Sequence, residues 1–238
     1  MRPWSVLIPF AVLALTSPAL AAGTIELSGH GEVTASPDSA FVTSGVTTEA
    51  ATAKAAVAAN NHDVAALIMV LKDAGIDPDD IQTSGFSVSP NYVDSNAKDA
   101  NGYDLPPKIA AYTVSNGVTV HIRDLKTLGP VLDQMVGVGA NTIGGITFAV
   151  ENPTEFYEAA RKAAFADAKA KADTYATAAG VSLGTIDTIS EGAGYTPRPP
   201  VPMMAKAMIA DAASVPVEAG QLTYAVDVSV TWDIGPAK

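Results

Sequence analysis

Residues 142–190 read TIGGITFAVENPTEFYEAARKAAFADAKAKADTYATAAGVSLGTIDTIS, and this stretch decides the class of fold. Thr142 to Glu151 is rich in β-branched and aromatic residues, which predicts a strand. Asn152-Pro153-Thr154-Glu155 follows as a helix start: an N-cap candidate, proline at the first helical position, and glutamate at the third, where its charge suits the helix dipole. The helix is predicted to run to about Ala179, with Gly180 as its stop. Glu158 with Lys162 and Asp167 with Lys171 are i,i+4 pairs for its wet side. Tyr157, Ala160, Ala164, Ala168, Lys171 or Ala172, Tyr175 and Ala179 trace another face, so rich in small residues that the helix is expected to lie close against a sheet. Leu183 to Ser190 then resumes as a strand.

Working outward toward the C-terminus, 192–219 is an irregular stretch holding Pro197, Pro199, Pro200, Pro202 and Pro216. A solvated loop is expected there rather than a polyproline docking segment. The last strand is 221–234, with Leu222, Tyr224, Val226, Val228, Val230 and Trp232 on one parity and Thr223, Asp227, Ser229, Thr231 and Asp233 on the other. It is expected beside another antiparallel strand.

Toward the N-terminus, Asp124 caps a predicted helix through Leu125, Leu128, Val131, Leu132, Met135 and Val136. Ile109 to Ile122 is read as one long strand with a bulge at Asn116-Gly117. Residues 94–108 are polar and hold Asn101-Gly102 and Pro106-Pro107, hence an exposed loop. Ile81 to Val93 is strand-like. Between Ala50 and Gly75, Val57, Val64, Leu67, Ile68 and Leu71 recur at helical spacing. Ile25, Leu27, Gly29, Gly31 and Val33 alternate with Glu26, Ser28, His30, Glu32 and Thr34 in a period-2 strand. Ser36-Pro37-Asp38 is a turn, and 40–48 continues as a strand, so the first two strands are expected to form a hairpin. The order is β-β-α-β-β-α-β-α-β-β: an α+β protein of largely antiparallel sheets with three helices packed on them. Two lobes are expected, 23–108 with 221–234, and 109–191.

The chain begins Met1-Arg2-Pro3, runs almost wholly apolar from Trp4 to Leu15, and reaches an A-x-A pattern at Ala19-Leu20-Ala21. This is the design of a secretory signal peptide, with cleavage expected after Ala21 or Ala22. The apolar run is shorter than the ~20 residues that span a bilayer, so no membrane insertion is expected after cleavage. The 238 residues carry 14 basic and 25 acidic side chains, a net charge of −11; losing Arg2 leaves 13 against 25, or −12. Such acidity lacks the cationic footprint that nucleic acid requires. The absence of cysteine excludes disulfides, zinc ribbons, Fe–S clusters and thiol catalysis.

Candidate chemistry is thin. Gly29-His30-Gly31 could open a phosphate loop, but the strand continues through Glu32-Val33-Thr34, and glycines that admit another backbone explain the pair better. His30 and Glu32 on one strand face, with His121 from another strand, could form a metal site; without H-x-H or H-x-x-x-H spacing, polar strand-face residues are the better reading. His62 is expected on an exposed helix position. Thr83-Ser84-Gly85 lies mid-strand with no histidine partner. Asp77, Asp79 and Asp80 depart from a calcium loop, which wants a glycine sixth and a glutamate twelfth. No catalytic, cofactor-binding or metal residue is assigned, and no cofactor is expected. Paired carboxylates stay open as acid–base candidates, because sequence does not say which converge.

Several blocks, taken in order, resemble the SIMPL-domain family: SGHGEVTASPDSAFVTSGVTTEA (28–50), AGIDPDDIQTSGFSVSPNY (74–92), YTVSNGVTVHIRDLKTLGPVLDQMVGVGAN (112–141), GITFAVENP (145–153), ARKAAFADAKAKADTYATAAGVSLG (160–184), ISEG (189–192) and the closing strand 221–234. The resemblance implies an α+β fold of two lobes, an exported, frequently periplasmic product, an association with envelope or oxidative-stress phenotypes, and self-assembly. It implies no catalytic residues. The reading is therefore a periplasmic, non-enzymatic protein that forms homo-oligomers. An edge strand such as 24–34 or 221–234 is the expected route to assembly. A module for a cationic small ligand or metal is the alternative, and an acid–base hydrolase the third.

Overall fold

The computed structural model describes residues 23–95, 97–192, 215 and 217–236. Its elements are β1 (Gly23–Ala35), β2 (Ser39–Ala50), α1 (Ala53–Asp73), β3 (Ile81–Val93), β4 (Lys108–Ile122), α2 (Leu128–Gly137), β5 (Thr142–Ala149), α3 (Thr154–Ala179), β6 (Val181–Glu191) and β7 (Leu222–Pro236). This is the predicted α+β order. The expected signal peptide at 1–22 and most of the proline-rich stretch at 192–219 lie outside the described residues. Of the loop expected at 94–108, residues 94, 95 and 97–107 form the connection, crossed by a bridge between Lys98 and Asp104, and Lys108 already belongs to β4.

The strands form two antiparallel sheets, one ordered β1-β7-β6 and the other β3-β4-β2-β5. The expected β1–β2 hairpin does not form. β1 pairs along its length with β7, from Gly23 with Ile234 to Ala35 with Leu222, while β2 sits between β4 and β5. Ser36-Pro37-Asp38 turns the chain out of one sheet and into the other; a turn signal states that the chain reverses, not that its flanks pair. The closing strand is likewise central, antiparallel to both β1 and β6, so 221–234 offers no free edge. Nor do the sheets divide the chain as the expected lobes do. β1, α3, β6 and β7 make one unit and residues 39–149 the other, because a cut at 108/109 would split the paired strands β3 and β4.

β4 is the single long strand expected, but the bulge lies on its partner. Ser84 pairs with Gly117 and Ser87 with Ser115, so Gly85 and Phe86 together oppose Asn116. Gly85 takes a left-handed φ of 69°, the conformation a glycine bulge needs.

On the three-stranded sheet the helix seats directly on the strand. Ala160, Ala164, Ala168, Ala172 and Ala176 are buried at a strict spacing of four, facing Val226, Val228, Val230 and Trp232 of β7. A Cβ on Gly29 would lie 2.0 Å from the Ala164 carbonyl oxygen, and one on Gly31 2.2 Å from that of Ala160. These glycines admit the α3 backbone, as expected. Tyr175, placed on this face by the sequence reading, instead stands 59% exposed; the four-residue repeat puts Ala176 there. At the start of α3, Pro153 is the capping residue, and Asn152 Oδ1 accepts from Thr154 N at 3.4 Å.

The four-stranded sheet is covered by bulkier side chains. Val64, Leu67 and Leu71 of α1 and Leu128, Val131, Leu132 and Met135 on and around α2 pack against Ala40, Val42, Val46, Val118, Val120 and Ile122. Thr52 caps α1, its hydroxyl accepting from Ala55 N at 3.2 Å. Asn60 is fully buried among these residues and donates to the Val46 and Val114 carbonyls at 2.9 and 3.3 Å.

Candidate functional site

The densest group of charged side chains forms where β4 leaves the four-stranded sheet. His121 and Arg123 are two residues apart and so point to one side. Register places Phe41 of β2 opposite His121, and the two rings stack with centroids 4.2 Å apart and planes 6° from parallel. The turn Pro78–Asp80 before β3 brings in Asp80, and Glu151 enters just beyond β5. His121 Nδ1 lies 3.3 Å from Asp80 Oδ1, and Nε2 lies 2.6 Å from Glu151 Oε1 but without the alignment of a hydrogen bond. Arg123 forks onto Asp80, with Nε and Nη2 each 2.8 Å from a carboxylate oxygen, and donates through Nη1 to Glu151. Paired donation of this kind is the strong form of the contact.

The electrostatics follow from that fork. The Arg123 guanidinium holds Asp80 below the usual carboxylate range against an opposing effect of burial, and Asp80 in turn raises Arg123. A cleft of about 420 Å³ opens beside the cluster, lined by Asp77, Asp79, Asp80, His121, Arg123 and Asp124. Its carboxylates are largely engaged: Asp77 accepts from Asp79 N at 2.9 Å and Asp124 from Lys126 N at 3.0 Å, each capping a short helical turn. A general acid needs a raised pKa, and Asp80 is shifted the other way.

The three residues weighed as a metal site do not converge. His30 and Glu32 stand on the open face of the three-stranded sheet, where His30 Nδ1 meets Asp227 Oδ1 at 2.7 Å and Nε2 lies 3.8 Å from Glu32. His121 belongs to the other sheet. The hydrogen bond to Asp227 raises the His30 pKa. Among the described residues no group of three or more histidine and carboxylate side chains is placed to hold a metal ion. His62 is exposed, as expected, and its Nδ1 lies 3.1 Å from Asp63. Ser84 lies in β3 opposite Gly117.

A family model described as SIMPL, a protein of unknown function (DUF541), matches residues 25–232. The chain belongs to the SIMPL family. The match runs from Ile25 of β1 to Trp232 of β7 and so takes in both sheets of the SIMPL fold. The 26 kDa periplasmic immunogenic protein of Brucella melitensis is 40% identical over 217 residues, covering 88% of this chain and 84% of that protein; its Brucella abortus counterpart matches to the same extent. The uncharacterized protein YggE of Escherichia coli K12 is 29% identical over 201 residues, 84% of this chain and 76% of YggE.

Sequence reasoning missed most of this SIMPL chain's polar cluster. Asp80 was noticed only beside Asp77 and Asp79, and Arg123, Glu151 and Phe41 not at all. His121 and Arg123 two apart on a strand was a usable signal; the approach of Glu151 depends on strand register and left no local trace. The buried Asn60 was legible, since it falls on the Ala56, Val64, Leu67, Leu71 stripe of α1.

Proposed function

We propose that this SIMPL protein is an exported, periplasmic protein that acts without catalysis, by assembling with copies of itself, with an indirect part in protecting the envelope, including against oxidative stress, and with exposure as an antigen. The leader-like start, the names of the Brucella relatives and the mutual pairing of Arg123 with Asp80 and Glu151 all favour it. No helix among the described residues is long and apolar enough to cross a membrane.

The observation that carries the assembly reading is the state of the strand edges. β1 was the expected route, but its outer edge is occupied at the middle: His30 N donates to Asp167 Oδ2 at 2.9 Å, and the Ser28 carbonyl accepts from Lys171 Nζ at 3.1 Å. Side chains of α3 thus satisfy the groups that a second copy would need. β3 also lies at an edge, and its thirteen residues, IQTSGFSVSPNYV, include no charged side chain in a chain of net charge −11. Two acidic molecules meet at least electrostatic cost where neither is charged. Size-exclusion chromatography with light scattering on the chain from residue 23 should give a mass above the monomer at micromolar concentration. A clean monomer would sink the reading.

A second reading, a binder of cationic small ligands or metal ions, is favoured by the aspartates around the cleft and weakened by Arg123 within it. Absence of heat on calorimetric titration with divalent metals and polyamines at millimolar concentration would remove it.

A further inference from the structure

Resting on the assembly reading above, we infer that the contact between copies is made by the arm that β3 and β4 form beyond the end of β2, docked against the same arm of a second copy.

The arm is defined by register. β2 accompanies β4 only as far as Ala50 opposite Tyr112, whereas β3 continues beside β4 to Val93 opposite Lys108. From Tyr112 outward the sheet is a two-stranded ribbon, a form that is marginal in water without further cover. The helical cover ends at the same place. Asn60 of α1 reaches the Val114 carbonyl, Val114 is fully buried, and on the same parity Tyr112 is half-buried and Ala110 exposed. Val88 pairs with Val114, so the core-facing side of the sheet runs on into the ribbon with none of the described residues packed over it as a helix.

That uncovered surface is apolar. Of the fifteen large hydrophobic side chains exposed among the described residues, seven fall within residues 86–109, among them Phe86, Val88, Tyr92, Val93, Tyr103 and Ile109. Val88 and Tyr92 share the core-facing side, with Ile109 opposite Tyr92, whereas Val93 lies on the other side and Tyr103 and Leu105 belong to the connection between the two strands, so the arm carries exposed apolar side chains on more than one side. Apolar side chains on an otherwise thin ribbon suit arm-on-arm contact, and charge selects a second copy as the occupant. Residues 81–112 hold Asp94, Asp99 and Asp104 against Lys98 and Lys108, a net of −1, while the whole chain is at −11. An isologous contact places this nearly neutral patch on itself and keeps the acidic remainder of each molecule apart.

The native chain has no cysteine, so a single introduced thiol reports contact without background. In the full mature chain, Tyr92→Cys under mild oxidation should give a disulfide-linked dimer several-fold more abundant than Ile189→Cys, which puts a thiol at a comparably exposed position on β6. Tyr92→Glu should at least halve the mass found by light scattering, with circular dichroism and thermal unfolding unchanged, while Ile189→Glu leaves the mass alone. If the parent chain assembles but Tyr92→Cys links no better than Ile189→Cys, the arm is not the contact and assembly proceeds elsewhere. A monomeric parent overturns the assembly reading and the arm contact with it. Should Tyr92→Glu fail to fold, the cysteine pair still decides.

Discussion

The molecule packs a long helix onto an antiparallel sheet twice, by opposite means. On the three-stranded sheet, α3 presents alanines to glycines, and the backbones come so close that a single Cβ has no room at Gly29 or Gly31. On the four-stranded sheet, α1 and α2 present leucine, valine and methionine to valines and isoleucine. The first contact gains from closeness, and the second from the volume of apolar side chains removed from water. The two should therefore fail in opposite directions, one when atoms are added and the other when they are taken away.

The sharpest way to break the contrast is Gly29→Val or Gly31→Val. Either substitution should cost upward of about 4 kcal/mol, since the clash is with helix backbone rather than a movable side chain. Denaturant unfolding that finds either variant within about 1 kcal/mol of the parent would show that α3 can lift away freely. Next in size is Leu67→Ala, which leaves a cavity in the fully buried core over the four-stranded sheet and should cost about 3 kcal/mol by the same measurement. The smallest effect concerns the open face of the three-stranded sheet, held by polar pairs such as Ser28 with Ser229 and His30 with Asp227. His30 has its pKa raised above 6.5 in the folded chain. Its contribution is present in full below that ordinary value and is lost as pH rises through the raised one. The ring is half-exposed, so solvent screening limits the gain to a few tenths of a kcal/mol. Comparing melting temperatures at pH 5 and pH 8, the parent should lose slightly more on raising the pH than His30→Gln does; an equal loss would show that the Asp227 pair contributes nothing.

Legibility in the sequence followed the range of the interaction. The α3 stripe, the Gly180 stop and the close approach at Gly29 and Gly31 were readable because helical period, capping chemistry and missing side chains are local properties. The β1–β2 hairpin and the bulge position were misread because pairing partners lie far apart in sequence and a turn motif does not choose them. The polar cluster was legible only at His121 and Arg123. Asp80 and Glu151 reach it through the register of three strands.

What the sequence determined by itself was the set of elements, their order, the antiparallel α+β class and the small-residue face of α3, since each rests on periodicities within one segment. Only the tertiary structure decided which strands became edges. It buried 221–234 at the centre of its sheet, closed the middle of the β1 edge with Asp167 and Lys171, and left β3 at an edge, its outer arm uncovered by the described residues. Those outcomes turn on which strand a distant segment pairs with, and hydrogen bonds between strands carry no mark of that choice in either strand alone.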